Sequence, residues 1–344
     1  MKKVDVLIVG AGPAGSTCGY LLQKAGVDCL LIDHATFPRD KICGGGLTSK
    51  CYHLLERLAP DFKYDFNPVS HIRVDIDGKA NCEFDIEEPI RIVQRKVFDH
   101  QLLQHYIQSG GAFCQGAFMS FEQKDDMVIV TLKSGEQIAC KWLVGADGSN
   151  SRVRRCLNPN DSGIKILPLE QYVEKKPDNS IDVLLSSSFD VGGYFYRFPN
   201  DAHDVVGFGD YSTTPEKFRK ILREHNIPEG RFRGAYVYLS TDYPLNDHVI
   251  LIGDAGGFAN RTTCEGIYDA FLTGSNASKA IIENKLFREV NASVFKKLEK
   301  EMRVNRFLFS KPSFMLMRWM CKHPGLIRWL FDTKMRRESW VANK

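Results

Sequence analysis

Across 344 residues the sequence contains no Cys-x-x-Cys pair, although it carries ten cysteines, at positions 18, 29, 43, 51, 82, 114, 140, 156, 264 and 321. That spacing excludes a zinc ribbon and a dithiol redox motif, and no metal is expected. No apolar run approaches the roughly 20 residues that cross a bilayer. The opening "MKKVDVLIVGAG" has a basic pair, but its short apolar run flows into glycines rather than a cleavage site, so it reads as a buried strand and not a secretory signal. Without an export signal, the cysteines are expected as reduced thiols in a cytoplasmic protein. No internal repeat and no low-complexity tract is present.

What is present suits a globular protein with a real core: 43% hydrophobic and 26% charged residues, enough chain for one large domain or two interleaved ones. Charge is unevenly spread. Residues 301–344 hold ten Lys/Arg and three Asp/Glu, +7, which leaves −3 for the remainder of a chain whose net charge is +4. Three of the four tryptophans, Trp319, Trp329 and Trp340, lie in the same tail. With no nucleic-acid-binding fold and few basic residues elsewhere, a nucleic-acid partner is not expected.

The first sixty residues carry the first chemical signal. Val4–Val9 is too short for a helix and rich in β-branched residues, so it reads as a central parallel strand. Gly10, Gly12 and Gly15 then form Gly-x-Gly-x-x-Gly, with Ala14 inside it. The first glycine permits a tight turn, the second lets backbone approach a pyrophosphate, and the third lets the next helix sit on the strand. That helix offers free N–H groups and the positive end of its dipole. Asp33 lies 23 residues beyond Gly10, where a carboxylate accepts ribose hydroxyls. The fingerprint alone leaves NAD and FAD both open.

Two later segments separate them. "CKWLVGADGSNSRVRRCL" runs a short strand, Trp142–Val144, into Asp147 and Gly148, followed by Ser151 and Arg154. "HVILIGDAGGFANRTTCEGIYDA" ends another buried strand, Val249–Ile252, in Gly253 and Asp254, and a helix begins near Glu265 and Gly266. This trio resembles the flavoproteins built like aromatic hydroxylases, in order and spacing over nearly the whole chain. The resemblance implies FAD: Asp254 accepting ribityl hydroxyls, the N–H groups of Gly266 and Ile267 at the flavin N1/O2 edge, and Asp147 at the pyrophosphate or simply capping a helix. Arg95, in "RIVQRKVFDHQLL", matches an arginine that precedes a helix and touches the cofactor; its other reading is a solvated arginine.

"FPRDKICGGG" resembles a segment of the geranylgeranyl reductase family in which a cysteine beside glycines lies by the flavin. The resemblance places Arg39, Cys43, Gly44 and Gly45 at the cofactor, the glycines so that backbone lies flat against the ring. Cys43 is then either a proton donor or a pocket-shaping thiol. "GGYFYRFP" resembles the family's aromatic-x-Trp-x-Phe-Pro element, with Tyr194, Phe198 and Pro199 in place and Tyr196 where tryptophan is usual. Tyr194, Tyr196 and Phe198 are accordingly expected at the substrate, with Tyr196 a second candidate proton donor. Segments such as "VGADGSNSRVRR" look particularly like the CbrA-like branch.

The expected fold is α/β: a Rossmann-type FAD-binding domain (1–69, 95–158 and 246–290) interleaved with an antiparallel-sheet substrate domain (70–94 and 159–245) and followed by a helical segment (291–344). Asp77-Gly78 marks a hairpin within 70–93, Phe98–Gly110 a helix, 117–148 a small meander, and 234–239 a strand. The tail reads as two or three short helices interrupted by Pro312 and Pro324, either lying on a membrane surface or packing as a lid. The implied activity is reduction of carbon–carbon double bonds in an isoprenoid or related lipid by hydride from reduced flavin N5. The alternatives are a flavin monooxygenase acting on a hydrophobic substrate and a flavoprotein that binds a lipid carrier or partner without turnover. With a single dinucleotide fingerprint, electrons come from a transient donor: NADPH, a ferredoxin or a quinol.

Overall fold

The computed structural model describes residues 1–244 and 246–341, with side chains to Arg336; the Trp340 side chain and the last three residues of the expected tail lie outside the described residues. The first sheet is built around β1 (Lys2–Val9), flanked in parallel by β2 (Cys29–Asp33) and β9 (Gln137–Gly145). β6 (Ala112–Gln115) runs parallel beyond β2, and β17 (Val249–Leu251) runs parallel to the C-terminal end of β9. β8 (Met127–Leu132) and β7 (Phe118–Lys124) extend the sheet antiparallel from the other end of β9, so the expected meander is continuous with the parallel strands.

The unbroken apolar run of β1 follows from burial on both faces. Val6 and Ile8 meet residues of α1 (Pro13–Lys24), α3 (Arg95–Gln108) and α6 (Ile267–Ile282), among them Leu22, Leu103 and Phe271. Leu7 and Val9 share the other core cluster with Val128, Val130 and Leu143 of the same sheet. Side chains of this size stabilise by about 1.5–3 kcal/mol each when fully buried. α1 and α6 touch closely, because a Cβ at Gly274 would lie 2.7 Å from the Ala14 carbonyl oxygen.

A second, eight-stranded sheet runs β15 (Arg233–Gly234), β11 (Leu169–Val173), β14 (Asp204–Gly209), β13 (Tyr194–Pro199), β12 (Ser180–Leu185), β4 (Asn67–Ile76), β5 (Ala80–Ile92), β3 (Gly46–Leu47). Its pairings are antiparallel except β12 with β4, which are parallel because the chain returns only after crossing the first sheet. β10 (Ile164–Ile166) pairs with β16 (Val237–Leu239), so the strand expected over 234–239 is divided between two sheets. β3 is the end of the Cys43–Gly46 loop: the chain leaves the first sheet at Asp33 and joins the second at Gly46.

The remaining helices are α2 (Ser49–Leu58), α4 (Arg152–Leu157), α5 (Pro215–Glu224), α7 (Phe287–Val290), α8 (Ala292–Leu308), α9 (Lys311–Met320) and α10 (Pro324–Val341). Pro312 and Pro324 stand at the starts of α9 and α10, where a missing N–H costs nothing. Phe314 packs under β4 and β5, while Phe307, Met315, Trp319 and Trp329 are each more than half exposed. Among the described residues no helix is long and apolar enough to cross a membrane.

Candidate functional site

The parallel strands β1, β2, β9 and β17 end together, and the motifs lie at those ends. Gly10 has φ +109°, and a Cβ there would lie 2.3 Å from the Ala146 carbonyl oxygen, so the first turn is pressed against the loop after β9. A Cβ at Gly15 would lie 1.8 Å from the Gly10 carbonyl oxygen, which is why the helix can sit on its own turn. Asp33 is buried at the end of β2 and accepts N–H bonds from Ala11 (2.7 Å) and Ala35 (2.8 Å). Its carboxylate therefore holds the glycine turn directly.

Asp147 lies at the start of α4. It accepts the Ser151 hydroxyl (2.5 Å) and the N–H groups of Arg152 (2.7 Å) and Val153 (3.2 Å), capping α4. Burial pushes its carboxyl up, and those three donors pull against that shift. These bonds give Asp147 the capping role that the sequence also allowed. Gly148 forms the turn between them with φ +76°. Asp254 accepts the Ser149 hydroxyl (3.1 Å), and a Cβ at Gly266 would lie 2.9 Å from its Oδ1. The Gly253 N–H is bonded to Thr273 Oγ1 (2.9 Å). Arg154 ties the two motifs together, donating to the Ser149 carbonyl (2.8 Å) and the Ala255 carbonyl (2.9 Å) and pairing with Asp161 (3.0 Å).

Arg95 is buried, not solvated. Its Nε and Nη2 donate to both oxygens of fully buried Asp99 at 2.8 and 2.9 Å, and it lies against Cys43. Burial opposes its charge, but the Asp99 carboxylate outweighs that and raises the guanidinium above its ordinary range. Asp99 also pairs with Arg39 (3.2 Å), whose guanidinium lies beside Gly12. A chain of charge thus runs from the glycine turn to the cysteine loop. Sequence reading missed Asp99, although Arg95 and Asp99 stand at the (i, i+4) spacing of helical ion pairs.

Alternation on β13 puts Tyr194, Tyr196 and Phe198 on one face, with ring centroids 5.7 and 4.9 Å apart. That face closes on the cysteine loop: a Cβ at Gly44 would lie 2.6 Å from the Phe198 ring, and one at Gly45 would lie 2.1 Å from the Val93 carbonyl oxygen. These glycines were expected to owe their smallness to a flat ring; Phe198 and Val93 already require it. The Tyr194 hydroxyl donates to the Thr263 carbonyl (2.7 Å), and the Tyr196 hydroxyl donates to Glu170. Burial pushes both phenols well above their ordinary range, with the negative charge of Glu170 adding to the shift at Tyr196.

A second ionic cluster surrounds the start of α6. Lys50, nearly fully buried, pairs with Glu265 (3.3 Å), and Lys297 of α8 pairs with Asp269 (2.9 Å) and with Glu301 (3.7 Å). Burial pushes Asp269 up to about 6 even though Lys297 opposes the shift.

Residues 3–168 match the FAD binding domain family. The chain is 34% identical to a menaquinone reductase of Mycobacterium tuberculosis over 83% of this chain and 78% of that protein. It is 26% identical to digeranylgeranylglycerophospholipid reductase 3 of Methanosphaera stadtmanae over 90% of this chain and 88% of that protein. The fold matches a geranylgeranyl bacteriochlorophyll reductase-like protein of Thermoplasma acidophilum with a TM-score of 0.71, at 21% identity, over 100% of this chain and 87% of that one. The chain belongs to the geranylgeranyl reductase family.

This family member is an FAD-dependent oxidoreductase, and its residues fit the cofactor. α1 begins at Gly12, beside the Gly10 turn and the Arg39 guanidinium, and α6 at Gly266, against the Asp254 carboxylate, and no side chain caps either start. N–H groups left without a cap suit a pyrophosphate at one end and an electron-rich ring edge at the other. Among the described residues no His/Cys/Asp/Glu group is arranged to hold a metal.

Proposed function

We propose that this reductase-family flavoprotein saturates carbon–carbon double bonds of an isoprenoid or related lipid. The observation that carries the reading is the aromatic face of Tyr194, Tyr196 and Phe198 closing on the Cys43 loop beside Arg95. It offers an apolar wall interrupted by a few proton-bearing groups, the surface an alkene needs. Two relatives whose names describe reductases of menaquinone and of a digeranylgeranyl lipid support it.

When bound, FAD supplies hydride from its reduced N5. In this reading the N–H groups of Gly12, Ala14 and Gly15 hold the pyrophosphate over the turn at Gly10, Asp33 takes the ribose, and Asp254, next to Gly253, takes the ribityl hydroxyls. Gly266 and Ile267 meet the ring edge, with Arg39, Gly44, Gly45, Arg95 and Gly148 bordering the cofactor. Tyr194 and Phe198 hold the substrate, and Tyr196 or Cys43 delivers the proton. The division into a discontinuous FAD unit and a substrate sheet belongs to the same reading.

The tail fits a membrane surface. Phe307, Met315, Trp319 and Trp329 are exposed among the basic residues Arg306, Lys311, Lys322 and Arg328, a composition suited to anionic headgroups. A cytoplasmic protein docked there receives a lipid substrate from the bilayer and electrons from NADPH, a ferredoxin or a quinol. Co-sedimentation with anionic vesicles checks the docking, and replacing Trp319 and Trp329 by alanine weakens it.

The decisive test of activity is anaerobic. Reduced protein mixed with polyprenyl lipids is expected to lose its reduced-flavin absorbance and yield a product two hydrogens heavier. No reoxidation by any polyprenyl lipid overturns the reading. Reoxidation coupled to oxygen consumption and a hydroxylated product favours the monooxygenase.

A further inference from the structure

Glu170 has no part in the chemistry above, yet it is built into the same wall. Glu170 on β11 and Tyr196 on β13 are both register partners of Gly207, on the β14 strand between them. Gly207 has no side chain, and the Tyr196 ring leans over it: a Cβ at 207 would lie 2.3 Å from the ring carbon bearing the hydroxyl. That lean carries the phenol across the intervening strand to the Glu170 carboxyl.

The groups facing this pair come from three elements. The Cys43 backbone N–H and the Lys41 ammonium approach Glu170 from the cysteine loop, and Arg233 approaches from β15. Tyr194 and Cys43 also lie near Tyr196. Arg233 is itself 40% exposed and lies 3.8 Å from Asp40, which is 69% exposed. Glu170 therefore stands between a solvent-edged pair of cations and a buried phenol.

We propose that Glu170 is a positioning residue that returns a proton from solvent to Tyr196 after the phenol has protonated the substrate. The proposal rests on the reductase reading. One alkene carbon receives hydride, and with it the electron pair. The other carbon takes the Tyr196 hydroxyl proton, so an O–H bond breaks and a C–H bond forms. The phenolate oxygen takes the proton of the neutral Glu170 carboxyl, and the Glu170 carboxylate recovers one from water past Lys41 and Arg233. Burial raises both groups and so favours the protonated acid and the neutral phenol, while the Tyr196 hydrogen bond, Arg233, Lys41 and the Cys43 N–H pull the shift of the acid back.

The test uses flavin-loaded wild type, Glu170→Gln, Glu170→Asp and Tyr196→Phe, with bound-flavin absorbance as the check on folding. Anaerobic reoxidation of the reduced proteins by geranylgeraniol in detergent micelles is followed from pH 5 to 9, in water and in deuterium oxide. Wild-type turnover is expected to fall as pH rises through the Glu170 titration and to show a solvent isotope effect. Glu170→Gln lowers kcat by roughly 10²-fold, leaves KM near its wild-type value and abolishes the pH-dependent limb. Glu170→Asp keeps the limb at a reduced rate. If Glu170→Gln binds no flavin, Glu170→Asp alone decides: a reduced rate with the limb supports the relay, and an unchanged rate overturns it. Wild-type rate and pH profile in Glu170→Gln overturn the relay and leave the reductase reading intact. Absence of wild-type reoxidation with this lipid and with every other polyprenyl lipid overturns both.

Discussion

The two sheets present their contributions to the site in opposite ways. The first works through backbone: a turn at Gly10, helix starts at Gly12 and Gly266 without side-chain caps, and carboxylates at Asp33 and Asp254 beside them. The second works through side chains that reach across strands, as Tyr196 does over Gly207 to Glu170. A backbone site needs residues to be absent and tolerates no added atom. A side-chain site needs particular neighbours, and loses function before it loses structure.

Gly45→Ala tests the backbone side of that contrast, on the loop by which the chain passes from the first sheet to the second, and has the largest expected effect. Gly45 has φ +76°, and its Cβ would lie 2.1 Å from the Val93 carbonyl oxygen. The left-handed conformation alone costs about 1–2 kcal/mol for an alanine, and the overlap adds more. The protein is expected to be recovered poorly and without bound flavin, read as the FAD-to-protein ratio.

Asp99→Asn comes next, since Asp99 joins the two regions through Arg39 and Arg95. Removing the charge between two guanidinium groups costs about 3–5 kcal/mol when the site is buried. Thermal melts are expected to show a lower Tm and flavin titrations a weaker Kd.

Gly207→Ala sharpens the contrast. The new methyl displaces the Tyr196 ring, and turnover is expected to fall by roughly tenfold, about 1.4 kcal/mol in the barrier. Flavin occupancy stays close to wild type. Loss of flavin as well would show that the two sheets do not divide the work as described.

The smallest effect is a pH dependence at the first sheet's helix. Asp269 carries a folded-state value of about 6 against 3.8. The folded protein therefore binds the proton more tightly than the unfolded chain, and this group's contribution to stability falls as pH rises from about 4 to about 6. Asp269→Asn is expected to flatten that segment of a Tm-against-pH curve, with Lys297, Glu301 and Lys50 still facing the position. A curve unchanged by the substitution would remove Asp269 as its source.

The same contrast explains which parts were legible in the sequence. Positions that must be glycine declare themselves, so the turn at Gly10–Gly15 and the loop at Cys43–Gly46 could be read in order and spacing. The reason for a glycine could not: Gly44 answers to Phe198, far along the chain, and Gly266 to the Asp254 carboxylate. Asp147 and Arg95 each carried two readings because capping and burial depend on what packs nearby. The structure shows Asp147 capping α4 and Arg95 buried against Asp99.

By itself the sequence determined the local structure: an apolar β1 that must be buried, a glycine turn at its end, and an aromatic strand with one alternating face. Those follow from residue size, backbone freedom and period, which neighbours in the chain decide. Only the tertiary structure decided that Glu170 stands beside Tyr196, and that Asp99 links the glycine turn to the cysteine. Those contacts depend on strand register and on helix docking, where one residue of slip or a small rotation brings different side chains together.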